Sequence, residues 1–135
     1  MAVNQDHAHN YREILVNLRS RIDQLHRNLS NYDESEYTHQ YNEFLGLIDI
    51  ADMLAERYEL EIGWDIRLER QMAQAEDPLV HALRYLEMAR GCIYTLMEGI
   101  DQATLKNMRR NLERGKDVLV AFHAEAQGAG NDPDY

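Results

Sequence analysis

Cysteine is all but missing from this chain. Cys92 stands alone among 135 residues, so neither an intrachain disulfide nor a multi-cysteine metal site can form. Long apolar runs are missing as well. The densest patch, around Phe44 to Ile48, falls far short of the roughly 20 residues that a membrane-spanning helix needs. The first residues, MAVNQDHAHN, carry neither the basic start nor the apolar run of a signal peptide, so a soluble protein in a reducing, cytoplasmic setting is expected. No segment alternates as a strand does, and no glycine-rich loop offers a phosphate cradle. Positive charge is the scarce sign. The 14 Lys and Arg residues face 24 Asp and Glu residues, giving a net charge of −10 and a pI near 4.9. Phosphate is repelled at long range by such a chain, so direct nucleic-acid binding is not expected and a basic protein partner is favoured.

What the chain does have is heptad order. Tyr11, Leu15, Leu18, Ile22, Leu25, Leu29 and Tyr32 follow one another at steps of 4, 3, 4, 3, 4 and 3. That spacing lays one apolar stripe along a helix, the stripe that a neighbouring helix covers in a bundle. This first helix is expected from about Asp6 to Asn31. Asp33 and Glu36 then form a capping pair for a second helix, whose stripe runs through Tyr37, Tyr41, Phe44, Ile48, Ala51, Ala55, Tyr58 and Ile62. Leu47, Ile50 and Leu54 widen its apolar face enough to touch two neighbours. A kink or break is expected near Gly63, beyond which Trp64, Leu68 and Met72 change register.

Asp77 and Pro78 restart the helical pattern, with proline at a first-turn position where its missing N–H costs nothing. The third helix buries Leu79, Ala82, Leu83, Leu86, Ala89, Ile93, Leu96 and Met97 and stops at Gly99. Asp101 caps a fourth, with a stripe of Leu105, Met108, Leu112, Gly115, Leu119, Phe122 and Ala126; a glycine on that stripe implies a close helix crossing. The expected fold is an all-α antiparallel bundle of four main helices in one domain, residues 1–127. Residues 128–135, GAGNDPDY, read as a loose acidic tail.

Charge is unevenly placed along this frame. Residues 33–65 hold ten carboxylates against Arg57 alone, whereas residues 7–31 and 102–127 each carry a net +2. Glu43, Asp49, Asp52, Glu56 and Glu59 flank the second helix's stripe and are the candidate partner-binding residues. Lys106, Arg109, Arg110, Arg114 and Lys116 put five cations on the fourth helix, where they read as a counterweight to the acidic helix. Tyr11, Tyr32, Tyr37 and Tyr41 are expected to cluster at the first turn between helices, with rings buried and hydroxyls wet.

No residue set reaches the strength of a catalytic signature. Glu36-x-x-His39 has the spacing of bundle carboxylate sites but points away from the stripe. Glu56-x-x-Glu59 with Glu98-x-x-Asp101 resembles the paired acidic motifs of all-α nucleoside triphosphate pyrophosphatases, which would imply carboxylates holding magnesium against a phosphate chain. The gap between the pairs is wider than that family's helix-turn-helix. Arg21-x-x-x-x-His26 resembles the Arg and His pair of HEPN-class ribonucleases, though early in the chain rather than late. His7-x-His9 is the nearest approach to a histidine metal pair, and Cys92 reads as a small buried hydrophobe. No catalytic residue, metal or cofactor is assigned. The chain is expected to be a non-enzymatic interaction protein, an adaptor, regulator or inhibitor of a basic or nucleic-acid-handling protein, and to form a homodimer through its heptad surfaces. A helical-bundle enzyme, either a magnesium-dependent pyrophosphohydrolase or a ribonuclease, is the alternative.

Overall fold

The computed structural model describes residues 2–62 and 78–131, with side chains described from Tyr11 to Ile62 and from Leu79 to Glu125. Four helices make up the fold: α1 (Ala2–Ser30), α2 (Tyr37–Arg57), α3 (Pro78–Glu98) and α4 (Gln102–Asn131). A short 3-10 turn, Glu34–Glu36, leads into α2, and no strand occurs among the described residues. The all-α bundle is therefore as the heptads imply. α4 carries on to Asn131, so the backbone of the first half of the expected tail is helical.

Neighbouring helices run antiparallel, as cross-helix contacts establish. Tyr11 meets Tyr58 and Asn28 meets Gln40 between α1 and α2. Asp23 pairs with Arg90 and His26 with Glu87 between α1 and α3. Asp52 reaches Arg109 and Tyr37 stacks on His123 between α2 and α4. Cys92 lies beside Asn107, which sets α3 against α4. α2 and α3 thus sit on a diagonal and point the same way, so the chain between Ile62 and Pro78 joins opposite ends of the bundle. This is the single-crossover form of the four-helix bundle.

The apolar stripes supply the core. On α1, Tyr11, Leu15, Leu18, Ile22, Leu25 and Leu29 are all buried. The stripe is covered by α2 and α3 within one chain, so α1 lacks the open heptad surface on which a dimer through this helix was expected. Leu47 and Leu54 on α2 are fully buried together with Phe44 and Ala51, in keeping with a face that packs on both α1 and α4. Gly115 is where the crossing is closest. A Cβ there would lie 2.9 Å from Phe44 Cε1, 3.2 Å from Phe44 Cζ and 3.5 Å from Tyr85 Cβ.

α2 ends sooner than its stripe. Glu59 takes a left-handed conformation (φ 55°), the Leu60 N–H donates to Ala55 O at 2.8 Å, and the Glu59 N–H donates to Glu56 O at 3.2 Å. Together these bonds form a Schellman cap, a motif that usually places glycine where Glu59 stands. The helix therefore stops at Arg57, and Ile62 is buried from outside the helix. The kink or break expected at Gly63, and the stripe of Trp64, Leu68 and Met72, lie outside the described residues. At the start of α4, the Thr104 N–H donates to Asp101 Oδ1 at 2.9 Å, and hydrogen bonds from the Thr104 hydroxyl and then from this N–H hold the Asp101 carboxyl below its usual range. The cap's contribution is thus present near neutrality and is lost as pH falls through the depressed value.

Two substitutions check these backbone assignments. Gly115→Ala should destabilise the protein by about 1–3 kcal/mol despite the better helix propensity of alanine, because Phe44 must move. Glu59→Gly should stabilise it by about 0.5–1 kcal/mol by relieving the left-handed strain. Denaturant unfolding reads both; a stabilising Gly115→Ala would mean that the helices are not in contact there.

Candidate functional site

The carboxylates singled out on α2 divide into two groups according to what lies opposite them. Asp52 is engaged within the fold: Arg109 Nε donates to Asp52 Oδ1 at 2.6 Å, and Arg109 Nη2 donates to Oδ2 at 3.5 Å. The Arg109 side chain is only 10% exposed, so Asp52 compensates a guanidinium drawn largely out of water. Glu43 is half-buried and pairs loosely with Arg21 at 3.4 Å. The same Arg21 guanidinium fills the space beside Gly46, where a Cβ would lie 2.8 Å from Nη2. Asp49 and Glu56 are exposed on the outer side of α2, and Glu59 is exposed on the cap just beyond it.

Met53 was absent from the sequence-based set, yet it lies in the middle of it. The residue is 39% exposed and falls between Asp49 and Glu56 on the outer side of α2, next to Asp52 in sequence. A flexible thioether ringed by carboxylates joins apolar contact to negative charge. The signal was available in the i, i+4 spacing of Asp49 and Met53, but the heptad stripe drew attention to the buried side.

The cations of α4 act in three ways rather than as one counterweight. Arg109 bonds to Asp52 of α2. Lys116 pairs along its own helix, with Glu113 at 3.8 Å and Asp117 at 3.4 Å. Lys106, Arg110 and Arg114 line an open groove between α3 and α4 with Met88, Gly91 and Cys92. Burial pushes the Cys92 thiol up, against a hydrogen bond from Asn107, so it stays protonated and unreactive at neutral pH.

The enzyme-like spacings do not assemble. Arg21 faces α2 through Glu43 whereas His26 faces α3 through Glu87, so the two do not converge. Glu59 belongs to the end of α2 and Asp101 is committed to capping α4. Among the described residues, no group of three or more His, Cys, Asp or Glu side chains could hold a metal ion. Glu36 and His39 are both exposed. The side chains of His7 and His9 lie outside the described residues. No helix among the described residues is long and apolar enough to cross a membrane.

The tyrosines separate. Tyr32 meets Phe122 edge to face at 5.2 Å, and Tyr37 stacks on both Tyr41 and His123 at the α1–α2 turn, whereas Tyr11 sits at the opposite end against Tyr58. The expected cluster thus loses Tyr11, because the 21 residues from Tyr11 to Tyr32 span about 30 Å along a helix. Burial raises the Tyr32 and Tyr37 hydroxyls above their ordinary range. Buried polar residues that were not anticipated include Asn111, which donates to Asn107 O at 3.0 Å. Gln40 is fully buried and donates to Asn28 O at 3.4 Å, and His81 is 6% exposed with neither ring nitrogen hydrogen-bonded among the described residues.

The division of the carboxylates is measurable. Asp52→Asn should cost about 1–2 kcal/mol, since it strips the charge partner from a largely buried arginine, while Asp49→Asn should stay within about 0.5 kcal/mol of the parent. Equal effects at the two positions in denaturant unfolding would contradict the pairing. No family model matches this chain, and no curated protein or solved structure matches it either, so its function has to be argued from these surfaces.

Proposed function

We propose that the chain is a non-enzymatic interaction protein that receives a basic partner on the outer face of α2, in the manner of an adaptor, regulator or inhibitor. The observation that carries this reading is the exposed Met53 set among Asp49, Asp52 and Glu56. Carboxylates alone serve solubility. An apolar side chain left open among them adds the desolvated centre that a binding surface needs, with the charges as its rim. A partner helix with an apolar residue flanked by lysine or arginine matches that arrangement, as a basic segment of a nucleic-acid-handling protein would. A single cysteine, which allows no intrachain disulfide, fits a reducing cytoplasmic setting.

The acidic rim acts mainly on association rate, because long-range attraction orients the encounter. Asp49→Asn, Glu56→Gln and Glu59→Gln together leave Asp52 and its arginine in place, so stability should stay within about 0.5 kcal/mol. Capture from the source cell with parent and variant, followed by association kinetics of the purified partner, tests the reading. The expected result is association slowed about tenfold, with a flatter dependence on salt. A partner that binds both proteins alike would overturn it, and magnesium-dependent nucleotide hydrolysis or RNA cleavage by the purified chain would place it among enzymes instead.

A further inference from the structure

Polar groups that are buried without a partner gather at one end of the bundle. Apart from single atoms on Arg110 and Glu113, the buried side-chain nitrogens and oxygens with no hydrogen bond among the described residues belong to Tyr32, Gln40, His81 and His123. Gln40 and His81 are each the fourth residue of their helix, α2 and α3. The pairs of Asp23 with Arg90 and of His26 with Glu87 set His81 level with Tyr32 at the α1–α2 turn, and the Tyr37 stack holds His123 at the same end. Gln40 is fully buried, yet its Nε2 reaches Asn28 O only at 3.4 Å and its Oε1 has no donor. His81 is 6% exposed with both ring nitrogens unpaired, and Tyr32, whose ring meets Phe122, buries its hydroxyl without a partner.

The opposite half treats its buried polar residues differently. Arg109 is held by Asp52 at 2.6 Å, and Asn111 donates to Asn107 O at 3.0 Å. Its large buried side chains, among them Leu54, Ile93, Leu96, Leu105 and Met108, are apolar. A donor or acceptor that leaves water without finding a partner works against the folded state, and it does so only while the layer around it is closed. Opening the turn end returns all four residues to water together. Opening the other half instead breaks the bond between Asp52 and Arg109. The same fold is therefore easier to part at one end than at the other.

We infer that the α1–α2 turn end of the bundle is a conformational unit of its own, which opens and closes reversibly while the half beyond Phe44 and Gly115 stays packed. The boundary falls at that contact because the Phe44 ring fills the space beside Gly115 and locks α2 to α4 there. Opening uncovers Leu29 and Leu119, both buried in the closed form, and so creates an apolar surface that the closed bundle does not show. Met53 and its carboxylates lie on the other side of Phe44 along α2 and keep their arrangement in both states. The opening thus stands or falls independently of the partner reading.

Hydrogen exchange of the full chain, followed amide by amide by NMR, reads the opening, and α4 crosses both halves. Met108 is the seventh residue of α4, whereas Phe122 lies nine residues before its end, so fraying of helix termini would protect Phe122 the better. The expected result is the reverse: amides from Leu119 to Phe122 exchange about tenfold faster than those from Met108 to Leu112. Tyr32→Phe, Gln40→Met and His81→Leu each remove an unpaired group at similar volume, and each should slow exchange at Leu119 to Phe122 about threefold. Asp52→Asn should speed exchange at Met108 to Leu112 about tenfold and leave Leu119 to Phe122 unchanged, because the open form keeps that half folded. Equal protection of the two segments would overturn the inference, as would an Asp52→Asn that speeds both alike. Faster exchange in the three end variants would overturn it too, since these groups would then be paired by water in solution.

Discussion

Phe44 lying against Gly115 sets the spacing of the bundle. The ring is fully buried and stands 2.9 Å from where a Cβ on Gly115 would be, so α2 and α4 approach as closely as an aromatic ring on bare backbone allows. Tyr85 closes the same point from α3, its Cβ 3.5 Å from that position. Three of the four helices are fixed against one another at this level. The partners above and below it, Tyr37 on His123 at one end and Asp52 on Arg109 toward the other, keep the same register along α2 and α4.

That register decides which charges are structural. Because Gly115 faces Phe44, Arg109 falls level with Asp52 and takes it as a partner, leaving Asp49 and Glu56 to the solvent. An acidic helix that looks uniform in the sequence is therefore divided in the fold: Asp52 balances a buried arginine, Glu43 turns to Arg21 of α1, and Asp49 and Glu56 stay exposed on either side of Met53. α1 and α3 are tied by a different kind of contact. Their seam carries Asp23 with Arg90, His26 with Glu87, and Arg19 lying 5.8 Å above the Tyr94 ring, all near the surface, where such pairs are worth little individually. Burial of Leu15, Leu18, Ile22 and Leu25 beneath them does most to hold that pair.

The helices and their core were legible because heptad spacing is a local property: the stripe of α1 from Tyr11 to Leu29 and that of α4 from Leu105 to Leu119 are buried as their 3, 4 steps require. The close crossing at Gly115 was legible for the same reason, since a glycine on a core stripe has few other uses. The end of α2 was not. Glu59 occupies the left-handed cap position without being glycine, and a search for helix-ending residues passes over it to Gly63. The pairing of Asp52 with Arg109, the placement of Tyr11 at the far end and the burial of His81 depend on which helix lies opposite which. Heptads specify that each helix has a covered face, but they do not say by whom it is covered.

The most direct test of this arrangement is a double-mutant cycle of Phe44→Leu with Gly115→Ala, followed by denaturant unfolding. Leucine vacates the space that the alanine methyl would enter, so the double variant should be less destabilised than the sum of the single variants by about 1 kcal/mol or more. Additivity within about 0.5 kcal/mol would mean that the two residues do not touch, and would contradict the helix register on which the rest of the account depends.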